Sequence, residues 1–210
     1  MSKYVVTILR GLGAASLVLA AVMCGSASAA PLERVLYSPV GEETQPPIGW
    51  VDFCNDHPKE CAVRSTSARD VVLSAAAWSD LVRVNRYVNA AVKPMTDAEQ
   101  WGVVEKWSYP DTGYGDCEDY VLLKRRLLIE AGWPREALLI TVVRDKKGDG
   151  HAVLTVRTNK GEFILDNQEA KVLAWTETGY RFVKRQSQSD PNAWVLLSHP
   201  RPATATATSR

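Results

Sequence analysis

The chain has 210 residues, 46% of them hydrophobic and 23% charged. These proportions exclude a wholly disordered chain, a collagen-like repeat and a coiled coil, and suit one globular domain. The 25 Lys and Arg against 24 Asp and Glu give a formal charge of +1, so no basic excess exists to drive nucleic-acid binding through counterion release.

Lys3 and Arg10 precede the apolar run GLGAASLVLAAVM, and Ala27-Ser28-Ala29-Ala30 stands before Pro31. A charged, then apolar, then small-residue order predicts a cleaved secretory signal over residues 1–30. The apolar run falls short of the roughly 20 residues that a membrane-spanning helix needs. A lipoprotein signal at Cys24 is disfavoured by the bulk of Met23. Cleavage removes Lys3, Arg10 and Cys24, leaving Cys54, Cys61 and Cys117.

Residues 31–66 hold several Pro and Gly with little periodicity, and are expected to form an irregular N-terminal arm. Within it, FCNDHPKEC places Cys54 and Cys61 at the ends of a short turn-rich loop, which favours a local disulfide in an oxidising compartment. A zinc site from Cys54, His57 and Cys61 lacks a fourth ligand and the usual spacing. Residues 67–199 are expected to form the main domain. Leu81, Val84, Val88 and Ala91 make one stripe in a helix expected from Ser67 to Val92, with Asn85 and Asn89 beside it. Thr96 is placed to cap a helix from Asp97 to Lys106. After the loop Gly113–Asp116 a helix begins at Cys117. Gly132 suits its C-terminus and Pro134 prevents its continuation. Strands are expected at Leu138–Arg144, His151–Arg157, Glu162–Asp166, Tyr180–Arg185 and Ala193–Leu197. Helices followed by strands predict an α+β domain. The tail over residues 200–210, PRPATATATSR, is low-complexity and expected to be disordered.

Cys117 is left without a disulfide partner. Its bland role is a buried small hydrophobe, but it opens a helix, where the macrodipole favours a thiolate. A cysteine nucleophile needs a base and an orienting group. His57 lies between the paired cysteines and His199 at the edge of the tail, so His151 is the base by elimination. A hairpin turning at Asn159-Lys160 sets position 153 opposite 166. His151 and Asp166 are then diagonal neighbours on one face, which makes Asp166 the orienter. Asn167 is the fallback. The Cys117 N–H could serve an oxyanion, with Trp107 a candidate second donor. Asp116, Glu118 and Asp119 crowd the sulfur and should suppress its thiolate. They either cap the helix or hold a hard cation such as calcium, which takes several oxygen ligands.

GDCEDY at a helix start, then HAVL, then LDN, in an exported chain resembles the bacterial transglutaminase-like cysteine proteinases. This group contains the periplasmic LapG-type adhesin-processing proteases. GWVDFC, VNRYVN and Trp101-Gly102 extend the likeness over roughly Trp50 to Leu197, while KWSYPDTGYG departs from a WATPxE-like stretch. The resemblance implies a papain/transglutaminase-like fold, with the nucleophile at a helix N-terminus packed on an antiparallel sheet. It implies a Cys117–His151–Asp166 triad, a periplasmic location, and calcium held by Asp116 and Glu118 with Asp119 as a third ligand. The implied substrate is a protein, with an outer-membrane or surface adhesin as candidate, and a regulatory membrane protein is a candidate partner. No stable membrane insertion is expected after signal cleavage. Three activities remain open: a calcium-dependent endopeptidase, transglutaminase or amidase-type acyl transfer by the same triad, and a non-catalytic calcium-responsive binding module.

Overall fold

The computed structural model describes residues 36–63 and 67–198. The expected signal segment, His199 and the tail lie outside them. In chain order the elements are β1 (Val40–Thr44), α1 (Ile48–Asp56), α2 (Pro58–Cys61), α3 (Ala75–Ala91), β2 (Lys93–Pro94), α4 (Asp97–Trp101), β3 (Tyr114–Gly115) and α5 (Cys117–Glu130). Then come β4 (Leu138–Arg144), β5 (Gly150–Thr158), β6 (Gly161–Leu165), β7 (Leu173–Ala174), β8 (Arg181–Gln186) and β9 (Trp194–Leu197).

The large sheet runs β1-β9-β8-β4-β5-β6-β7, with neighbouring strands antiparallel. Its central strands β4 and β5 are β-branched, nearly continuous apolar runs, as burial on both faces demands. On one face, Leu81, Val84 and Val88 of α3 pack with Tyr120, Val121 and Leu128 of α5 against Ile140, Leu154 and Val156. On the other, Val143, Val153, Ile164, Trp175 and Phe182 form a smaller cluster. Burying each of the large aliphatic side chains contributes roughly 1.5–3 kcal/mol. The β5–β6 hairpin pairs Thr158 with Gly161 and Leu154 with Leu165, the register expected from a turn at Asn159-Lys160.

The segment expected to be an irregular arm is ordered between residues 36 and 63. β1 lies at the sheet edge against β9, and α1 buries Trp50 and Phe53, whose rings stack at 5.6 Å. Helices of nine and four residues are too short for a 3.6-residue period to stand out, and Pro46-Pro47 disguises a helix start. Cys54 and Cys61 are joined in a disulfide that ties α1 to α2. Two other elements are shorter than expected. α3 begins only at Ala75, where Ser74 accepts the Ala77 N–H. Val71 before it is extended and bridges Thr158. α4 carries the expected Thr96 cap in a reciprocal box with Glu99, but it ends at Trp101 because Gly102 turns to φ +71°.

Glu60 of α2 ties this N-terminal layer to the domain. Its Oε2 lies 3.2 Å from Arg125 Nη1 and 2.8 Å from Arg135 Nη1. Burial works against its charge, but Arg135 and Arg125 together hold the carboxyl below the usual range. A depressed carboxyl contributes stability above its unfolded value and loses it as pH falls through the folded one. Glu60→Gln should therefore destabilise the protein by about 2 kcal/mol at neutral pH, since it leaves the buried Arg125 without its anion. Melting curves should show the gap between variant and wild type closing below about pH 4.

Candidate active site

Three segments that are distant in sequence meet at the N-terminus of α5. β2 and β3 pair in parallel, and Met95 N–H donates to Gly115 O at 3.0 Å. This brings the Pro94–Thr96 strip alongside the turn into Cys117. A cleft of about 320 Å³ opens there, lined by Met95 on this strip, by Glu99 of α4, and by Cys117, His151, Asn167 and Gln168. The structure thus brings the candidate nucleophile and the candidate base to one cleft.

His151 is buried, and its Nε2 lies 2.8 Å from Asp166 Oδ1. A carboxylate only accepts, so Nε2 carries the hydrogen and Nδ1 keeps the lone pair. Gln168 Nε2 approaches that Nδ1 at 3.4 Å. Asp166 also accepts the Tyr180 hydroxyl at 2.6 Å and the Gln168 N–H at 2.9 Å. Burial opposes the charge on Asp166, yet these donors hold its carboxyl below the ordinary value. The ladder pairs of β5 and β6 stop at Leu154 and Leu165, so another element fixes Asp166. Asn85 Oδ1 accepts its N–H at 3.1 Å, and Asn89 Nδ2 donates to its carbonyl at 2.8 Å. Tyr180 and Gln168 were not singled out from sequence. Asn85 and Asn89 were legible only as polar residues beside an apolar stripe.

Cys117 is the first residue of α5 and the free cysteine among the described residues. Its sulfur lies 3.1 Å from Glu118 Oε2. Burial, and then the Glu118 charge, push the thiol well above its ordinary value, against a favourable contribution from the Ala152 N–H. Under native, non-reducing conditions iodoacetamide should label Cys117 and spare Cys54 and Cys61. Equal labelling of all three in a peptide map would remove the disulfide.

The carboxylates beside Cys117 are more numerous than the sequence indicated. Oxygens of Asp97, Asp116 and Asp119 lie within 4.8 Å of one another, as do those of Asp97, Glu105 and Glu118. Burial together with the neighbouring charge of Asp116 raises Glu118 to about 9 and Asp119 to about 7. Burial raises Asp97 and Asp116 as well. Helix capping does not account for Asp116, because its side chain makes no cap hydrogen bond. Asp97 Oδ1, Asp116 Oδ1 and Asp119 Oδ2 are buried without a hydrogen-bond partner. Buried carboxylate oxygens without partners, on residues whose carboxylates group within 4.8 Å, fit a hard divalent cation, and calcium takes six to eight oxygens. Gly115 is part of this arrangement, since a Cβ there would sit 2.6 Å from Asp119 Oδ2. Asp97 and Glu105 lie on α4 and the loop after it, and no local signal in the sequence ties them to Cys117. Trp107 Nε1 donates to Glu105 Oε1 at 2.7 Å, so the expectation that it serves an oxyanion is not met.

A family model described as bacterial transglutaminase-like cysteine proteinase matches residues 40–202. No curated protein matches. Among solved structures, calcium-bound LapG of Legionella pneumophila is 24% identical with a TM-score of 0.49, covering 61% of this chain and 72% of that one. A second LapG structure is 26% identical with a TM-score of 0.44, covering 51% and 62%. An EGTA-treated form is 24% identical with a TM-score of 0.47, covering 59% and 68%.

Proposed function

The chain belongs to the bacterial transglutaminase-like cysteine proteinases, and from that premise we propose that it is a periplasmic, calcium-dependent endopeptidase acting through Cys117, His151 and Asp166. The observation that carries this reading is the 2.8 Å bond from His151 Nε2 to Asp166 beside a cysteine at a helix N-terminus.

His151 Nδ1 takes the proton from Cys117 Sγ, and the thiolate attacks a peptide carbonyl carbon. Asp166 holds the ring and offsets the imidazolium charge as it forms. The Cys117 N–H donates to the oxyanion, at the end of α5 where N–H groups lack helical acceptors. His151 returns its proton to the departing amine, leaving an acyl thioester on Cys117. Water then gives a proton to His151 and attacks the thioester, and the thiol is restored.

Asp97, Glu105, Asp116, Glu118 and Asp119 would hold calcium. When bound, it supplies positive charge that offsets the carboxylates facing Cys117. Asp116, Glu118 and Asp119 are the ligands expected from sequence; Asp97 and Glu105 join them on the grouping of their oxygens. A protein substrate follows from the family, and an outer-membrane or surface adhesin is the candidate within it. Export rests on the signal-like residues 1–30, which lie outside the described residues. Among those described, no helix is long and apolar enough to cross a membrane.

The test is incubation with the outer-membrane protein fraction of the host, using wild type and Cys117→Ala, with calcium or with chelator. A large surface protein should be shortened only by wild type in calcium. Incorporation of a primary amine into glutamine peptides without cleavage would instead identify transglutaminase chemistry.

A further inference from the structure

The carboxylate of Asp166 divides its two oxygens between different donors. Oδ1 takes the His151 Nε2–H at 2.8 Å and the Gln168 N–H at 2.9 Å, and Oδ2 takes the Tyr180 hydroxyl at 2.6 Å. Asp166 is 2% exposed, so water offers little to an oxygen that loses its donor. Tyr180 also touches the imidazole. Its ring stands edge to face against that of His151, with centroids 5.8 Å apart and planes at 83°. One side chain thus meets both members of the pair, from the segment that leads into β8.

The direction of Tyr180 is set locally. A short turn at Trp175–Glu177 leads to Thr178, whose hydroxyl donates to Trp175 O at 2.9 Å and accepts the Tyr180 N–H at 3.2 Å. Gly179 then takes φ +73°, the left-handed region that glycine reaches without strain. Trp175 packs edge to face on Phe182, 5.4 Å away at 90°, so the chain is fixed on either side of Tyr180. Tyr180 does not line the cleft at Cys117. It lines a separate small cavity with Asp166, Thr178, Lys146 and Glu169.

We propose that Tyr180 is a positioning residue for the His151–Asp166 pair: its hydroxyl holds Asp166 Oδ2 so that Oδ1 stays directed at His151 Nε2, and its ring keeps the imidazole turned with Nδ1 to the cleft. This rests on the triad reading above. The bonds from His151 and Gln168 both end on Oδ1, so by themselves they leave the carboxylate free to pivot about that oxygen. Tyr180 removes that freedom. Burial and the bond to Asp166 push its phenol well above the ordinary value, so the hydroxyl stays a donor at any pH at which the protein is folded. Without it, a buried anionic oxygen has no donor. The carboxylate then turns toward another donor or takes a proton. Either change weakens the bond that fixes the His151 tautomer. An imidazole whose hydrogen has moved to Nδ1 has no lone pair there for the Cys117 proton.

The experiment records nitrogen-15 NMR of histidine-labelled, full-length protein in calcium at neutral pH, for wild type and Tyr180→Phe. Wild type should show His151 as one tautomer, with its hydrogen on Nε2. Tyr180→Phe keeps the ring and its packing, and should show a mixture of both tautomers. On the intact surface protein its kcat should fall about tenfold, the worth of one hydrogen bond to a charged group. Its KM should stay within about twofold, because Tyr180 lies outside the cleft. In an Asp166→Asn background the same substitution should change kcat by less than about twofold, since the carboxylate it holds is already gone. A Tyr180→Phe protein with the wild-type His151 spectrum and kcat overturns the proposal. A lowered melting temperature with an unmoved spectrum also overturns it, as the pattern of a tyrosine that only fills space. If wild type cleaves nothing, the proposed function fails, while the nitrogen spectrum still decides whether Tyr180 holds the pair.

Discussion

Cys117→Ala should abolish cleavage, lowering the rate by about 10⁴-fold or more, while the folded protein remains as stable as wild type to within about 1 kcal/mol. The asymmetry follows from the position of the sulfur. It lines the cleft beside Glu118, so truncating it removes the attacking atom and also relieves an unfavourable contact. His151→Ala should be about as damaging, because Nδ1 has no substitute: neither Gln168 nor Asn167, its neighbours in the cleft, can accept and return a proton at neutral pH. Asp166→Asn should cost less than either. The amide can keep the Tyr180 hydroxyl at one position only by presenting NH2 to the His151 Nε2 and the Gln168 N–H, or keep those two and lose Tyr180, so one of the present contacts is lost either way. Because the three groups act as a unit, the Cys117→Ala, His151→Ala double variant should be scarcely slower than either single one. Single-turnover rates on the intact surface protein, before it is shortened, measure all four. A His151→Ala enzyme that keeps its activity would remove His151 as base, and with it the significance of the Asp166 contact.

Chelation should have the second largest effect, and it should show in stability as well as rate. Asp97, Glu105, Asp116, Glu118 and Asp119 come from α4, the following loop and the start of α5. A bound cation would therefore tie together segments that otherwise repel. Binding to the folded state alone adds about 2.7 kcal/mol when calcium is at a hundred times its dissociation constant. For a domain of this size that corresponds to a rise in melting temperature of roughly 5–10 °C. Glu118→Ala and Asp97→Asn should each abolish most of this rise. The Asp97 variant is the sharper test, because that residue has no sequence proximity to Cys117 and is buried with an orphaned oxygen. Magnesium should substitute poorly, since it demands tighter octahedral geometry and loses its water reluctantly. A melting temperature that is the same in chelator and in calcium would reduce these carboxylates to an unfavourable cluster at a helix start.

Much of this molecule was legible in the chain. The α5 start at Cys117, the β4, β5 and β6 strands and the register of their hairpin all follow from local rules: a Gly-rich turn before a helix, β-branched runs and a two-residue turn. Period-2 parity was enough to place His151 and Asp166 on a common face, because side chains alternate strictly along strands. Elimination among three histidines selected the candidate base without any geometry.

Other features depend on long-range packing that no local pattern encodes. The acidic cluster draws Asp97 and Glu105 to α5 because the parallel β2–β3 bridge folds the α4 loop back onto the Cys117 turn. An Asp in the first turn of a helix reads as an ordinary dipole partner until its burial is seen. Asp166 lies past the last ladder pair of β6, so its orientation is set by Asn85 and Asn89 reaching from α3. The N-terminal segment gave no periodic signal because its helices are shorter than the window over which a period can be recognised. Lys124 is the clearest case. In sequence it is one more basic residue in the run KRRLL, and only the packing of α5 into the core removes its ammonium from water and leaves it without a hydrogen-bond partner. Local structure was readable because it depends on neighbours a few residues apart. The charges that govern the site were not, because desolvation and Coulomb interaction depend on distance in space, and the tertiary fold alone sets that distance.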